Sequence, residues 1–242
     1  MKLREQLRAR LHPQPRLLII TAVEAERAAV RRGLDQPVDR ELADALSDGD
    51  RIVVEAGGVG AAAAAAAAGW LLGACADEDP FELVICAGVA GGFADRAGLG
   101  ATVLASRAVA ADLGADSPDG LLTLSDLGFG PSTVDSDADL LNRLRGALPA
   151  AVLGDVLTVS TVTGTAARAD ELLARWPDAV AEAMEGFGVA SAAQRAGAAF
   201  AELRTISNPV GPRDRAAWQL PQALAALETA AATLPNAIEA LG

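Results

Sequence analysis

Short runs of consecutive apolar residues alternate along this chain with longer stretches in which alanine and leucine recur at helical spacing. Uniformly apolar runs are what strands look like when both faces of a sheet are covered. Amphipathic stretches between them are the covering helices. The pattern predicts strands over 16–21, 51–55, 83–87, 102–109, 154–160, 179–184 and 199–206. It predicts helices over 24–32, 59–75, 137–148, 167–175, 186–196 and 218–240. The polar stretch 112–131, punctuated by Gly and Pro, reads as one long loop. No linker or internal repeat divides the chain. At 242 residues it fits a single α/β domain over 16–242 preceded by a short extension over 1–15.

Composition narrows the partners. A formal charge of -12 with no segment rich in Lys or Arg argues against nucleic acid and anionic membrane surfaces, leaving a small soluble molecule as the expected substrate. The tract Ala61 to Ala68 is apolar but far short of the ~20 residues that cross a bilayer. Cys75 and Cys86 sit in apolar surroundings without metal-ligand spacing, so they read as buried reduced thiols of a cytoplasmic protein. His12 is the sole histidine and precedes the first strand, which leaves no Ser-His-Asp triad and no multi-His metal site. No metal or cofactor is expected.

Candidate chemistry gathers at predicted strand ends, where open α/β sheets place their sites. The first strand runs out at Thr21-Ala22-Val23-Glu24-Ala25-Glu26, and the acids there would at least favour a helix N-terminus by ~0.3–1 kcal/mol. Gly57, Gly58 and Gly60 follow the second strand, and Gly88, Gly91 and Gly92 the third, but neither cluster spells a dinucleotide fingerprint or a phosphate loop. Ala183-Met184-Glu185-Gly186 closes the sixth strand, and Ser207-Asn208-Pro209-Val210-Gly211-Pro212-Arg213-Asp214-Arg215 follows the seventh. Taken singly, each has a plain structural explanation as a helix cap, a tight turn or a solvated loop.

Taken together and in this order, they resemble the purine nucleoside phosphorylase and nucleosidase superfamily, and the run 207–215 is similar to that of the futalosine hydrolases within it. The resemblance extends from about Leu17 to the last helix. It implies an α/β fold of three layers, α/β/α, around a mixed, partly barrel-like central sheet, and commonly a homo-oligomer. By position, Glu26 matches the acid that activates water, with Glu24 left on the surface. Met184 and Glu185 match the ribose clamp, and Asn208 the base-binding residue. Val89 and Gly91 belong to the Gly-rich segment beside base and sugar, with Val89 where many relatives carry Ser. Thr163 lies in Val159 to Thr165, which walls the purine. That segment lacks the usual aromatic, so base packing falls to Phe187 or to a residue of a neighbouring subunit. Many relatives have Glu immediately before the Met. Here Ala183 stands there, and no role is carried to Glu182.

Chemistry sharpens what the resemblance implies. An ionised Glu26 would repel phosphate but not water, favouring hydrolysis over phosphorolysis. A fixed carboxylate at Glu185 stabilises the oxocarbenium-like charge that glycosidic cleavage builds on ribose. An Asn amide offers donors to the adjacent N7 and O6 acceptors of a 6-oxopurine, whereas an ionised Asp would oppose them. The futalosine resemblance implies a carboxyphenyl ketone on the 5′ side of the sugar. A guanidinium of Arg213 or Arg215 would pair with that carboxylate and Trp218 would stack on its ring. The expected reaction is release of hypoxanthine from futalosine, leaving dehypoxanthinyl futalosine, in menaquinone biosynthesis. A general inosine or guanosine hydrolase or phosphorylase remains open at this point, as does a catalytically silent nucleoside-binding protein.

Overall fold

The computed structural model describes residues 15–47, 50–77 and 79–239. Residues 1–14 of the expected extension over 1–15, with His12, and Ala240 of the expected helix over 218–240 lie outside them. The strands are β1 (Leu17–Thr21), β2 (Ile52–Ala56), β3 (Leu83–Gly92), β4 (Thr102–Ala110), β5 (Gly114–Ala115), β6 (Leu122–Thr123), β7 (Thr133–Asp135), β8 (Val152–Thr158), β9 (Ala179–Ala183) and β10 (Ala199–Pro209).

β2, β1 and β3 run parallel, as a doubly wound sheet would have them. The sheet then curls. β3 pairs in parallel with β10, β10 antiparallel with β4, and β4 in parallel with β8. β8 runs parallel to β9, and β9 returns antiparallel to β3 through Gly91–Glu182 and Gly92–Ala181. β3, β10, β4, β8 and β9 therefore form a closed five-strand circuit, with β1 and β2 as an open flap and β7 hung on β4. Closing a circuit of so few strands leaves a narrow interior. It is filled by small or branched side chains, among them Ala90, Val103, Ala105, Val156, Ala181 and Ile206.

Alternation along β1 assigns the outer layers. Leu17 and Ile19 pack with Val30, Leu140, Leu144 and Leu227 on one face, under the helices Glu24–Gly33, Ala138–Ala147 and Leu220–Ala231. Leu18 and Ile20 pack with Ala64, Ala68, Leu71, Val189 and Ala193 on the other, under Ala61–Ala74 and Gly186–Ala196. Each fully buried Leu or Ile contributes roughly 1.5–3 kcal/mol. The three layers and the partly barrel-like sheet are as the resemblance implies.

Several boundaries differ from those the sequence pattern predicts, each for a local reason. β3 and β10 run on to Gly92 and Pro209, so Gly88, Gly91 and Gly92 lie within a strand instead of in a loop after it. Their partners across β10 and β9 hold them extended. The expected loop 112–131 contains a short β5–β6 hairpin. A short helix, Leu42–Ser47, precedes β2. The expected helix over 218–240 is two, Leu220–Ala231 and Leu234–Glu239. Pro235, lacking an N–H and crowding the turn before it, cannot sit inside one continuous helix but is accepted in the first turn of a new one.

Two helices of one outer layer cross at very close range. Ala61–Ala74 and Gly186–Ala196 touch at Gly188, where a Cβ would stand 2.2 Å from the Ala61 carbonyl oxygen. That approach carries the N-terminus of the first helix to the start of the second.

Candidate active site

A cavity of about 380 Å³ opens where β1, β3, β9 and β10 end. Glu26, Val89, Gly91, Thr163, Met184, Glu185, Asn208 and Arg213 all line it, so residues spread over most of the chain meet as the sequence leads one to expect. Phe187 and Arg215 do not. Phe187 packs against the apolar layer containing Val189 and Phe200, and its N–H donates to Thr158 Oγ1 at 2.9 Å, which fixes the first helical turn facing inward. The cavity's aromatic wall is Trp218 instead.

Glu26 is buried at the first turn of Glu24–Gly33. Its Oε2 accepts from the Ala22 and Val23 N–H groups at 2.9 and 3.3 Å, and its Oε1 from Val89 N–H at 2.8 Å. The helix N-terminus and the end of β3 thus form a nest of donors that would suit an anion, and this carboxylate fills it. Gly88 makes room, since a Cβ there would lie 2.7 Å from Glu26 Oε1. Burial is the largest influence on this carboxyl and pushes it above the ordinary value of 4.5, with Val89 N–H and Arg204 pulling the other way. Glu24 points outward and pairs with Arg27.

Glu185 is also buried, at the N-cap position of Gly186–Ala196. Its Oε1 accepts from Gly60 N–H at 3.2 Å, a contact made possible by the close helix crossing at Gly188. Oε2 meets Met184 N–H at 3.3 Å and the Arg204 guanidinium at 3.2 Å. Arg204 and Glu202 are both fully buried, and neither stood out in the sequence as a site residue. Charged Glu202 and Arg204, two apart in an otherwise apolar strand, were the available signal, because a buried carboxylate requires such a partner. Among the described residues no three of His, Cys, Asp and Glu converge in a metal-binding arrangement.

At the other wall, Asn208 Nδ2 donates to the Pro209 carbonyl at 2.9 Å, and Ser207 Oγ donates to Asn208 Oδ1 at 2.8 Å. The Pro209 contact favours this orientation of the amide: flipped, its oxygen would oppose a carbonyl. Gly91 lies beneath, where a Cβ would be 3.2 Å from Nδ2. Glu182 also lines the cavity, with its carboxylate accepting from Thr163 N–H at 2.8 Å and from Thr163 Oγ1. It ties the 159–165 segment to β9. Burial pushes the Glu182 carboxyl up, and the Thr163 bonds offset part of this.

The loop after β10 rests on that same segment. Arg213 N–H donates to Gly164 O at 3.1 Å, and a Cβ on Gly211 (φ +47°) would fall 2.4 Å from Thr165 O. Asp214 accepts from Ala216 N–H at 3.0 Å rather than pairing with an arginine. Both exposed guanidiniums flank Trp218, Arg213 at 5.4 Å from the ring centroid and Arg215 at 5.9 Å.

The chain matches the family model of the phosphorylase superfamily over residues 16–241. Futalosine hydrolase of Streptomyces coelicolor is 50% identical over 232 residues, covering 92% of this chain and 96% of that one. Futalosine hydrolase of Acidothermus cellulolyticus is 49% identical, covering 90% and 89% respectively. Among solved structures, the methylthioadenosine/S-adenosylhomocysteine nucleosidase of Colwellia psychrerythraea in complex with adenine superposes with a TM-score of 0.75 at 22% identity, covering 93% of this chain and 96% of that one. At that identity the likeness establishes the fold. Among the described residues no helix is long and apolar enough to cross a membrane.

Proposed function

Since the chain belongs to the phosphorylase superfamily and, within it, to the futalosine hydrolases, we propose that the cavity binds futalosine and cleaves its N-glycosidic bond with water. Hypoxanthine and dehypoxanthinyl futalosine are the products, in a step of menaquinone biosynthesis. The observation that carries hydrolysis is Glu26 in its nest. The three backbone donors of this nest, which could otherwise greet a phosphate, are spent on this carboxylate, whose own charge repels a second anion.

The remaining residues divide the work. Glu185 accepts hydrogen bonds from the ribose hydroxyls while Met184 packs on the sugar. As the bond between C1′ and the purine stretches, positive charge grows on the ribosyl ring and the fixed carboxylate stabilises it. Water attacks C1′, Glu26 takes its proton, and the bonding electrons leave with the base. Raised basicity from burial suits Glu26 to that role. Asn208 presents Nδ2 to the N7 and O6 edge and spreads the developing charge without supplying a net proton, which the purine takes up from water. Arg213, at the cavity wall beside Trp218, takes the distal carboxylate. Arg215 supports Trp218 from outside the cavity.

The enzyme works on a small nucleoside in the cytoplasm and as a homo-oligomer. Support for the cytoplasm is the unpaired state of Cys75 and Cys86, and the homo-oligomer rests on the family resemblance. The reaction is tested by following hypoxanthine release from futalosine in phosphate-free buffer. The expected rate is unaffected by added phosphate and the sugar product carries none. Dependence on phosphate would mark a phosphorylase, and equal rates on inosine a general nucleosidase.

A further inference from the structure

Glu202 is buried with no contact to the cavity, yet its position is tied to Glu185 twice. Its Oε1 accepts from Arg204 Nε at 2.8 Å, and the Nη2 of that same guanidinium reaches Glu185 Oε2 at 3.2 Å and Cys86 Sγ at 3.2 Å. Its Oε2 has no hydrogen-bond partner and presses on the backbone following Glu185: a Cβ on Gly186 would lie 2.2 Å away. The other bonds to Glu185, from Gly60 and Met184, are neutral and long, at 3.2 and 3.3 Å. Arg204 is therefore the one charged partner of Glu185 among the described residues, and Glu202 fixes the plane of its guanidinium.

We infer that Glu202 is a positioning residue of the ribose clamp: by holding Arg204 and abutting Gly186 it keeps Glu185 in the orientation that receives the sugar hydroxyls. A guanidinium held at Nε by a rigid acceptor has lost the rotation that would let it swing off Glu185. Its fork is pre-organised. Glu26, Glu185 and Glu202 surround this single cation, so truncating Glu202 leaves Arg204 free to turn toward either remaining carboxylate. The cost appears as a misplaced clamp, in sugar binding, while Asn208 and the base stay as they are.

The inference rests on the reading that Glu185 holds the ribose. Calorimetry on the intact enzyme measures the two products separately. Glu202→Met is expected to weaken binding of dehypoxanthinyl futalosine by about 10-fold or more, the scale of one charge-assisted hydrogen bond, and to leave hypoxanthine affinity unchanged. Glu202→Gln, which still offers an acceptor to Arg204 Nε, restores most of the loss. Equal weakening of both products, or of neither, overturns the inference. If Glu202→Met does not fold, Glu202→Asp takes its place, since it keeps the charge and shortens the reach by a methylene, and the same outcomes decide. A Glu185→Gln control separates the two levels: if that variant binds the sugar product normally, the clamp reading itself fails, whereas a selective loss there with none at Glu202 refutes only the role of Glu202.

Discussion

Replacing Asn208 by aspartate changes one NH2 group into an oxygen, and the surroundings of that atom determine the consequence. Nδ2 lies 2.9 Å from the Pro209 carbonyl oxygen, while Oδ1 is held by Ser207 Oγ at 2.8 Å. The Ser207 bond survives Asn208→Asp, so the new carboxyl keeps its plane and turns an oxygen toward Pro209 and toward the purine. Ionised, it faces the Pro209 carbonyl, N7 and O6 with no proton to share. A mismatched buried partner of this kind costs ~1–3 kcal/mol, or roughly 5- to 150-fold in kcat/KM. Protonated, it donates to N7 and recovers part of the loss. The facing carbonyl disfavours the charged form, so the carboxyl of the variant holds its proton above the ordinary ~3.9. The assay is hypoxanthine release from futalosine as kcat/KM, expressed as the ratio of variant to parent enzyme across pH. That ratio is expected to be lowest at neutral pH and to climb as pH falls. The base-reading argument is refuted if the ratio is near one at neutral pH, or low and flat throughout.

Glu26→Gln is expected to lower kcat by ~100-fold or more with substrate still bound, because volume is kept and the base for water is lost; near-normal turnover would remove Glu26 from its role. In the parent enzyme Glu26 must be ionised to accept a proton, and burial raises its pKa, so the acid limb of kcat is expected above 4.5, where an ordinary glutamate would put it. A limb at or below that value contradicts the assignment. Arg213→Met is expected to erode the preference for futalosine over inosine by ~10- to 150-fold while sparing the slow reaction on inosine, and Arg215→Met to do much less. Equal effects of the two substitutions in competition assays would refute the division drawn at Trp218. Gly186→Ala places a methyl 2.2 Å from Glu202 Oε2 and is expected to lower the melting temperature along with kcat; an unchanged melting curve would mean that Glu202 moves freely.

How far the sequence carries can be judged residue by residue. β1 is apolar and buried over Leu17 to Ile20, and the order of Glu26, Glu185 and Asn208 marks the strand ends, so layers, strands and the central residues of the cavity wall are legible. Barrel closure is not. Its seam is two pairs, Gly91–Glu182 and Gly92–Ala181, between residues whose local preferences say turn and ordinary strand. The same blindness to pairing put Gly88, Gly91 and Gly92 in a loop. Phe187 lies outside the cavity lining and packs on the apolar layer, because helix phase, not proximity to Glu185, sets which side of the helix it occupies. Glu202 and Arg204 were visible as charges in a strand, but only their meeting with Glu185 gives them meaning. Glu182, passed over as one place out of position, faces the cavity after all and spends its carboxylate on Thr163.

The placement of β10 also bears on how the enzyme comes into being. This strand lies between β3 and β4, and its Arg204 joins Cys86 across 118 residues of sequence. Such pairing is slow to find, because a long loop must close before any contact offsets the lost chain entropy. During synthesis β3 and β4 leave the ribosome with the seam between them unfilled, and Glu26 and Glu185 lack their shared cation. A nascent chain therefore has the acids of the site before it has the means to neutralise them, and catalytic competence arrives only when the last strand slots home. In a refolding experiment, recovery of hypoxanthine release should coincide with burial of Cys86 against thiol reagents, one event seen by two probes.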